Sequence, residues 1–138
     1  MNNRPVPELQ TDPEFDELIQ PREEKYLEEL EENIFDHGCQ EPVCVWNGII
    51  LDGRLRYKIC TKWDIHFNIR RIMFESRDKA VSFICHEQLK RTDLTGEYKK
   101  YLIGRLFRAD MNTASDEFMK KHPGTELNAD GQVSQKYV

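Results

Sequence analysis

The stretch EPVCVWNGIILDGRLRY, residues 41–57, constrains the fold more than any other part of this chain. Asn47-Gly48 lies between two short β-prone runs, and this dipeptide is the strongest short-range signal for a two-residue hairpin turn. Asp52-Gly53 follows at once, and apolar residues then recur at helical spacing. The sequence therefore predicts a strand, a tight turn, a second strand and a helix in immediate succession, with Asp52 as the N-cap of that helix.

Capping and helix-breaking residues predict four more helices, opened by Asp12, Pro21, Ser76 and Thr95. The helix opened by Pro21 is strongly acidic and ends at Gly38, a residue that suits a helix C-terminus. Residues 66–74, HFNIRRIMF, alternate enough to predict a third strand. Several helices around a short hairpin and one further strand indicate an α+β fold with a small mixed sheet.

A chain of 138 residues is enough for one domain. We predict an N-terminal extension with a short helix at 1–20, the domain itself at 21–111, and a polar tail or linker at 112–138, where the apolar pattern stops. No apolar run approaches the ~20 residues of a membrane span, and the first residues lack the apolar core of a secretory signal. We therefore expect a cytoplasmic protein without a membrane partner. Its four cysteines lack metal-site spacing and are expected to be free structural thiols.

Charge is divided along the chain, although the net value is only −5. Between Glu8 and Glu41 there are thirteen acidic residues against Arg22 and Lys25, whereas residues 54–108 hold fourteen basic residues against six acidic ones. Solvated helix faces explain the acidic segment well enough. The basic half could attract an anionic ligand if its charges converge in space.

Arg54 and Arg56 fall in the first turn of the helix predicted after Gly53. A helix N-terminus is electropositive and its first N–H groups lack helical partners, so two cations there are costly unless an anion binds. Glycine at 53 would let such a ligand approach the backbone closely. The alternative is that both arginines point to solvent or pair with the acidic helix.

A second group of polar residues lies in EQLKRTDLTGE, residues 87–97. Glu87 and Arg91 are four residues apart and share a helix face, and the spacing by itself favours a simple ion pair. The functional alternative has Arg91 binding a phosphate oxygen while Glu87 helps to hold Mg²⁺, which typically sits on one or two carboxylates and substrate phosphates.

The order of these motifs resembles the N-terminal domain of the ParB family, which has the ParB/sulfiredoxin-like fold. The resemblance runs from about Pro21 to Phe107 and rests on four features. They are the long acidic helix ending at Gly38, EPVCVW as the proline–apolar strand, ILDGRLRY as the glycine–arginine phosphate motif, and EQLKRTDLTGEY. The last is similar to the family's Glu-Asn-x-x-Arg box followed by Leu-Thr/Ser.

This resemblance implies a nucleotide-binding regulatory module, with CTP and Mg²⁺ as ligands, in a protein of plasmid partition, chromosome segregation or transcription regulation. Nucleotide state would control closure of a homodimer on DNA, and any hydrolysis would be slow and would serve switching. Carried over by position, Asp52 and the two arginines of the turn belong to a phosphate and nucleotide site with Gly53, Tyr57, Arg91, Pro42 and Val43. The same comparison assigns the metal to Glu87 and Gln88.

Two departures from the family pattern bear on function. Gln88 stands where the family has Asn, and Leu55-Arg56 stands where it has paired arginines. The DNA-reading helix-turn-helix that usually follows does not occur in this sequence, so DNA contact is expected through a region outside it. Arg54 occupies the catalytic-cysteine position of sulfiredoxin, which argues against that reductase activity. The alternatives are a metal-dependent nuclease using Asp52 and Glu87, and an interaction module that binds no nucleotide.

Overall fold

The computed structural model describes residues 8–124 of the chain. Within that range a three-stranded sheet packs with five helices, which confirms the predicted α+β class. The elements are α1 (Pro13–Glu17), α2 (Glu24–His37), β1 (Val43–Trp46), β2 (Ile49–Asp52), α3 (Arg54–Trp63), β3 (Ile69–Arg71), α4 (Arg77–Leu89) and α5 (Gly96–Lys121). None of the helices in residues 8–124 combines the length and the apolar character needed to cross a membrane.

The hairpin forms where Asn47-Gly48 predicts it. Asn47 and Gly48 have φ values of 50° and 77°, so both lie in the left-handed region required by a two-residue hairpin turn of type I′. β1 then pairs antiparallel with β2 and parallel with β3, giving the strand order β2-β1-β3. The central strand β1 thus carries both pairings of a mixed sheet.

The predicted capping residues Asp12, Ser76 and Thr95 are confirmed. Each side chain accepts hydrogen bonds from backbone N–H groups in the first turn of the helix that follows. Gly38 ends α2 with φ at 78°, as expected. The start of α2 differs from the prediction, because Glu23 remains extended and the helix begins at Glu24 rather than at Pro21.

The core lies between the sheet and the helix pair α4–α5. Its largest fully buried side chains include Leu51 of β2, Ile84 of α4 and Leu102 of α5. Phe15 and Leu18 join them with no exposed surface, although both precede the predicted domain start at residue 21. The segment around α1 is therefore an integral part of this fold.

Helix α5 continues to Lys121, past Met111, where the loss of apolar pattern predicted a loose polar tail. Polar contacts with α4 accompany this part of the helix. Asn112 donates to Asp78 at 3.4 Å, and Lys79 of α4 lies 3.6 Å from a carboxylate oxygen of Glu117. Residues 125–138 of the predicted tail lie outside the described part of the chain.

All four cysteines are free thiols, as predicted. Cys44, Cys60 and Cys85 are buried, and burial raises the pKa of the Cys85 thiol to about 11. A thiol with so high a pKa carries almost no thiolate at neutral pH and is a poor nucleophile. These side chains therefore act as small apolar residues of the core.

Candidate functional site

A cavity of about 250 Å³ lies where the loop before α2, the start of α3 and the end of α4 meet. Four arginines reach it from three different segments, namely Arg22, Arg54, Arg56 and Arg91. The remaining wall is partly apolar and includes Ile19, Pro21, Tyr26, Leu27 and Leu30. A cationic end beside an apolar wall suits a ligand with an anionic group and a hydrophobic or aromatic part.

Gly53 turns the chain from β2 into α3 and is the N-cap of the helix, with φ at 100°. A Cβ atom at this position would lie 2.8 Å from Nη2 of Arg56 and 3.2 Å from the Val43 Cα atom. Glycine is therefore required both by the backbone angle and by the space. The prediction that Asp52 caps the helix is wrong, because Asp52 is the last residue of β2 and no side chain caps α3.

Arg56 fixes the strand entering the site. Its Nη2 donates to the Pro42 carbonyl at 3.0 Å and lies 3.5 Å from an Asp52 carboxylate oxygen, while Nη1 lies 3.5 Å from Glu41. The side chain is only 18% exposed. The guanidinium therefore faces protein carboxylates and the cavity rather than open solvent.

Arg54 lies 3.1 Å from the carboxylate of Asp16 in α1. Arg54 therefore pairs with α1 and not with the acidic helix α2, which was the alternative considered from the sequence. The Nε atoms of Arg54 and Arg56 are both buried without a hydrogen-bond partner. Buried unsatisfied donors are costly, so these two N–H groups retain unused capacity for an acceptor.

Arg91 is held in a polar network at the end of α4. Its Nε and Nη2 donate to the two carboxylate oxygens of Asp93, at 2.9 and 2.8 Å, and Nη1 donates to Gln20 and Gln88. Arg22 donates to the same Asp93 carboxylate at 2.9 Å. One carboxylate therefore pairs with two of the four cavity arginines, leaving a net positive charge, and ties the loop before α2 to the α4–α5 connection.

The hydrogen bonds from Arg91 hold the pKa of Asp93 at about 2, below its usual 3.8. A carboxylate with a depressed folded-state pKa contributes stability that is present above its unfolded pKa and is lost as pH falls through the folded value. We expect the thermal midpoint to fall more steeply between about pH 4 and pH 2 in the wild type than in Asp93→Asn. Thermal unfolding followed by circular dichroism at several pH values measures this difference. Asp116→Asn, an exposed site on α5, should keep the wild-type slope, and parallel curves for all three proteins would contradict the assignment.

The two predicted metal residues point to different surroundings. Gln88 is 7% exposed, lines the cavity and accepts from Arg91, whereas the Glu87 carboxylate pairs with Lys90 at 2.8 Å. The i,i+4 spacing favoured an ion pair between Glu87 and Arg91. In the structure Glu87 pairs with Lys90 instead, and Arg91 pairs with Asp93. Residues 8–124 contain no group of three or more His, Cys, Asp or Glu side chains able to hold a metal ion. This donor set does not fit a cation held by the protein alone.

Three other predicted residues, Tyr57, Val43 and Pro42, lie outside the cavity lining. Tyr57 accepts a hydrogen bond from the Leu9 N–H and packs edge-on against Phe67. Val43 is fully buried, and Pro42 contributes its carbonyl oxygen to Arg56. Of the predicted phosphate and nucleotide residues, Asp52, Gly53, Arg54, Arg56 and Arg91 do line the cavity.

Sequence reasoning missed Arg22 and Tyr26 as residues of the site. The Arg22 guanidinium lies 4.3 Å from the centre of the Tyr26 ring, and both line the cavity. A signal was available, since Arg22 is one of only two basic residues in the acidic segment. The expectation that a helix begins at Pro21 concealed it, because the loop conformation is what turns Arg22 toward the site.

Solved structures similar to this chain include two ParB N-domains. The match to one form of a Pnob8-like ParB-N domain has a TM-score of 0.61 and 23% identity, and covers 91% of this chain and 52% of the other. A pNOB8-like ParB N-domain gives 0.60 and 20%, with 92% and 50% covered. The chain thus spans about half the length of the structures it matches. No protein-family model and no curated protein matches it. The arrangement of these elements shows that the chain has the α+β fold of a ParB N-terminal domain.

Proposed function

We propose that this chain is a nucleotide-binding regulatory module of a DNA-partition protein, and that it binds the phosphates of CTP or a related nucleotide at the start of α3. The observation that carries the proposal is the convergence of four arginines on an uncapped helix N-terminus beside a partly apolar cavity. The ParB N-domain fold supports the same assignment.

The phosphates would contact the free N–H groups of the first turn of α3, where the helix dipole favours an anion. Arg54 would turn from Asp16, and Arg56 from Asp52 and Glu41, toward the phosphate oxygens, since these ion pairs are partly exposed and 3.1 to 3.5 Å long. Their unpartnered Nε donors would find acceptors in the same movement. Arg91 would stay bonded to Asp93 and keep the loop with Arg22 in position beside the ligand.

The nucleoside part would lie along the apolar wall formed by Ile19, Tyr26, Leu27 and Leu30. Tyr26 is 39% exposed and offers an aromatic surface for a base. A Mg²⁺ ion would come with the triphosphate, and when bound it would neutralise phosphate charge. Gln88 is the only one of the two predicted metal residues that lines the cavity.

DNA contact and dimer closure are proposed for the whole protein, because this chain spans about half of the structures it matches. The nuclease alternative needs a carboxylate pair facing one metal ion. Glu87 is neutralised by Lys90 and does not line the cavity with Asp52. No contact of the described residues favours that alternative.

Isothermal titration calorimetry with CTP, ATP, GTP and UTP in the presence of Mg²⁺ tests the proposal. We expect wild-type protein to bind at least one nucleotide and Arg56→Ala to bind it about tenfold or more weakly, because charge-assisted hydrogen bonds to phosphate are lost. Arg108→Ala removes an exposed α5 arginine outside the cavity and should bind as wild type does.

A thermal melt of each variant separates a binding defect from unfolding. A wild-type protein that binds none of the four nucleotides at millimolar concentration would refute the proposed function. Equal affinity in wild type and Arg56→Ala would place the ligand elsewhere.

A further inference from the structure

A second, open groove lies between α2 and the end of α3, with a volume of about 340 Å³. Six side chains line it, and they combine two aromatic rings with four carboxylates: Phe35, Trp63, Glu28, Glu31, Glu32 and Asp36. No basic side chain is part of this lining. The groove is separate from the arginine-lined cavity and plays no part in the function proposed above.

The two rings form an ordered exposed pair. Phe35 is 64% exposed and Trp63 is 46% exposed, and their rings meet edge to face with centroids 5.7 Å apart. The Trp63 indole N–H donates to Glu31 at 2.5 Å, which fixes the orientation of the larger ring. Two adjacent exposed aromatic side chains with a fixed orientation indicate a surface that contacts a partner, whereas single exposed apolar residues need no explanation.

Charge compensation in the groove is incomplete. The Glu31 carboxylate accepts hydrogen bonds from Trp63 and Lys62. The bond from Trp63 contributes most to lowering the pKa of Glu31. Within residues 8–124, the exposed carboxylates of Glu28, Glu32 and Asp36 take part in no ion pair or hydrogen bond. They recur every four residues, so like charges stand on neighbouring turns and repel. A cationic partner would relieve this repulsion.

From this arrangement we infer that the groove binds a basic segment of a partner protein. Carboxylates four residues apart on a helix are about 6 Å apart along its axis. Basic side chains on one face of an extended peptide repeat at nearly the same spacing, about 6.6–6.8 Å. A lysine or arginine of that segment stacks its cation on Phe35, because Lys62 already lies over the Trp63 ring, 4.9 Å from its centre. Its basic neighbours pair with Glu28, Glu32 and Asp36. Nucleic acid is a poor occupant because its phosphates meet three uncompensated carboxylates.

Fluorescence anisotropy of a labelled short peptide with alternating lysine and leucine tests this inference, with the full chain at low salt. We expect the triple variant Glu28→Gln, Glu32→Gln, Asp36→Asn to bind about tenfold or more weakly, and Phe35→Ala to bind several-fold more weakly. Added salt should weaken wild-type binding, because exposed charges are screened. A peptide with glutamate in place of lysine should not bind.

Matched controls lie on α5, where Phe107 is an exposed aromatic residue and Asp116 an exposed carboxylate. Phe107→Ala and Asp116→Asn should both bind the peptide as wild type does. All four substituted groove residues are exposed, so thermal melts should stay close to wild type. Absence of wild-type binding, or equal binding by the triple variant, would overturn the inference. Self-association of the wild type that disappears in the triple variant would also overturn it, by making a second copy the occupant.

Discussion

Replacing Phe15 by alanine is expected to lower the free energy of unfolding by about 3–5 kcal/mol, the range for removing a fully buried phenylalanine side chain. Phe15 has no exposed surface, contacts Trp46 of β1 and lies beneath the Arg77 guanidinium, 4.5 Å from its ring centre. The substitution leaves a cavity where α1, the sheet and α4 meet. Urea unfolding at neutral pH measures the loss.

Phe107→Ala is the matched control, since this phenylalanine of α5 is 67% exposed. Its effect should stay within about 0.5 kcal/mol, as for most surface substitutions. If both variants unfold at the same urea concentration as wild type, the segment around α1 is not part of the cooperative core.

Gly53→Ala is expected to cost about 2 kcal/mol or more of stability and to weaken nucleotide binding. A residue with a Cβ atom is strained at φ of 100°, and that atom would meet both the Arg56 guanidinium and the backbone of Val43. The Arg56 side chain can move away, but the Val43 backbone belongs to β1 and cannot move without disturbing the sheet. Urea unfolding gives the stability change, and calorimetry with the nucleotide bound by wild type gives the binding change.

The same glycine-to-alanine change at position 104 is expected to raise the free energy of unfolding instead of lowering it. Gly104 lies within α5 and a Cβ atom there would meet nothing within 4 Å, so alanine should stabilise the helix by about 0.5–1 kcal/mol. A Gly53→Ala variant as stable as wild type would mean that the turn into α3 is not constrained as described.

Local sequence signals predicted most of the secondary structure. Asn47-Gly48 predicted the hairpin because only residues tolerant of positive φ suit its turn, and Ser76 and Thr95 predicted helix starts because their side chains replace missing partners. Elements held by contacts with distant residues were harder to predict. The second half of α5 makes polar contacts with α4, and such contacts leave no apolar periodicity in the sequence.

The site was predictable in its anion-binding turn and less so in its surroundings. Gly53, Arg54 and Arg56 are adjacent in sequence, so their spacing was enough to place them together. Arg22 and Asp93 are brought together by a contact across 71 positions, and no short pattern encodes such a pairing. Arg91 was assigned to Glu87 for a different reason. Helix α4 ends at Leu89, so Arg91 lies beyond the helix and pairs with Asp93, two positions away, instead of with Glu87.

The contacts of α1 also set an order for assembly during synthesis. Glu14 pairs with Arg105, 91 positions later, and the Tyr98 hydroxyl donates to the Glu17 carbonyl across 81 positions. During synthesis the contacts of α1 therefore cannot be completed until the first half of α5 has left the ribosome. Contacts of such long range close slowly, because the intervening loop must first be ordered. Chaperones that bind nascent apolar segments would meet this fold first at α1, and α1 would be fully covered only once Leu102 has been made.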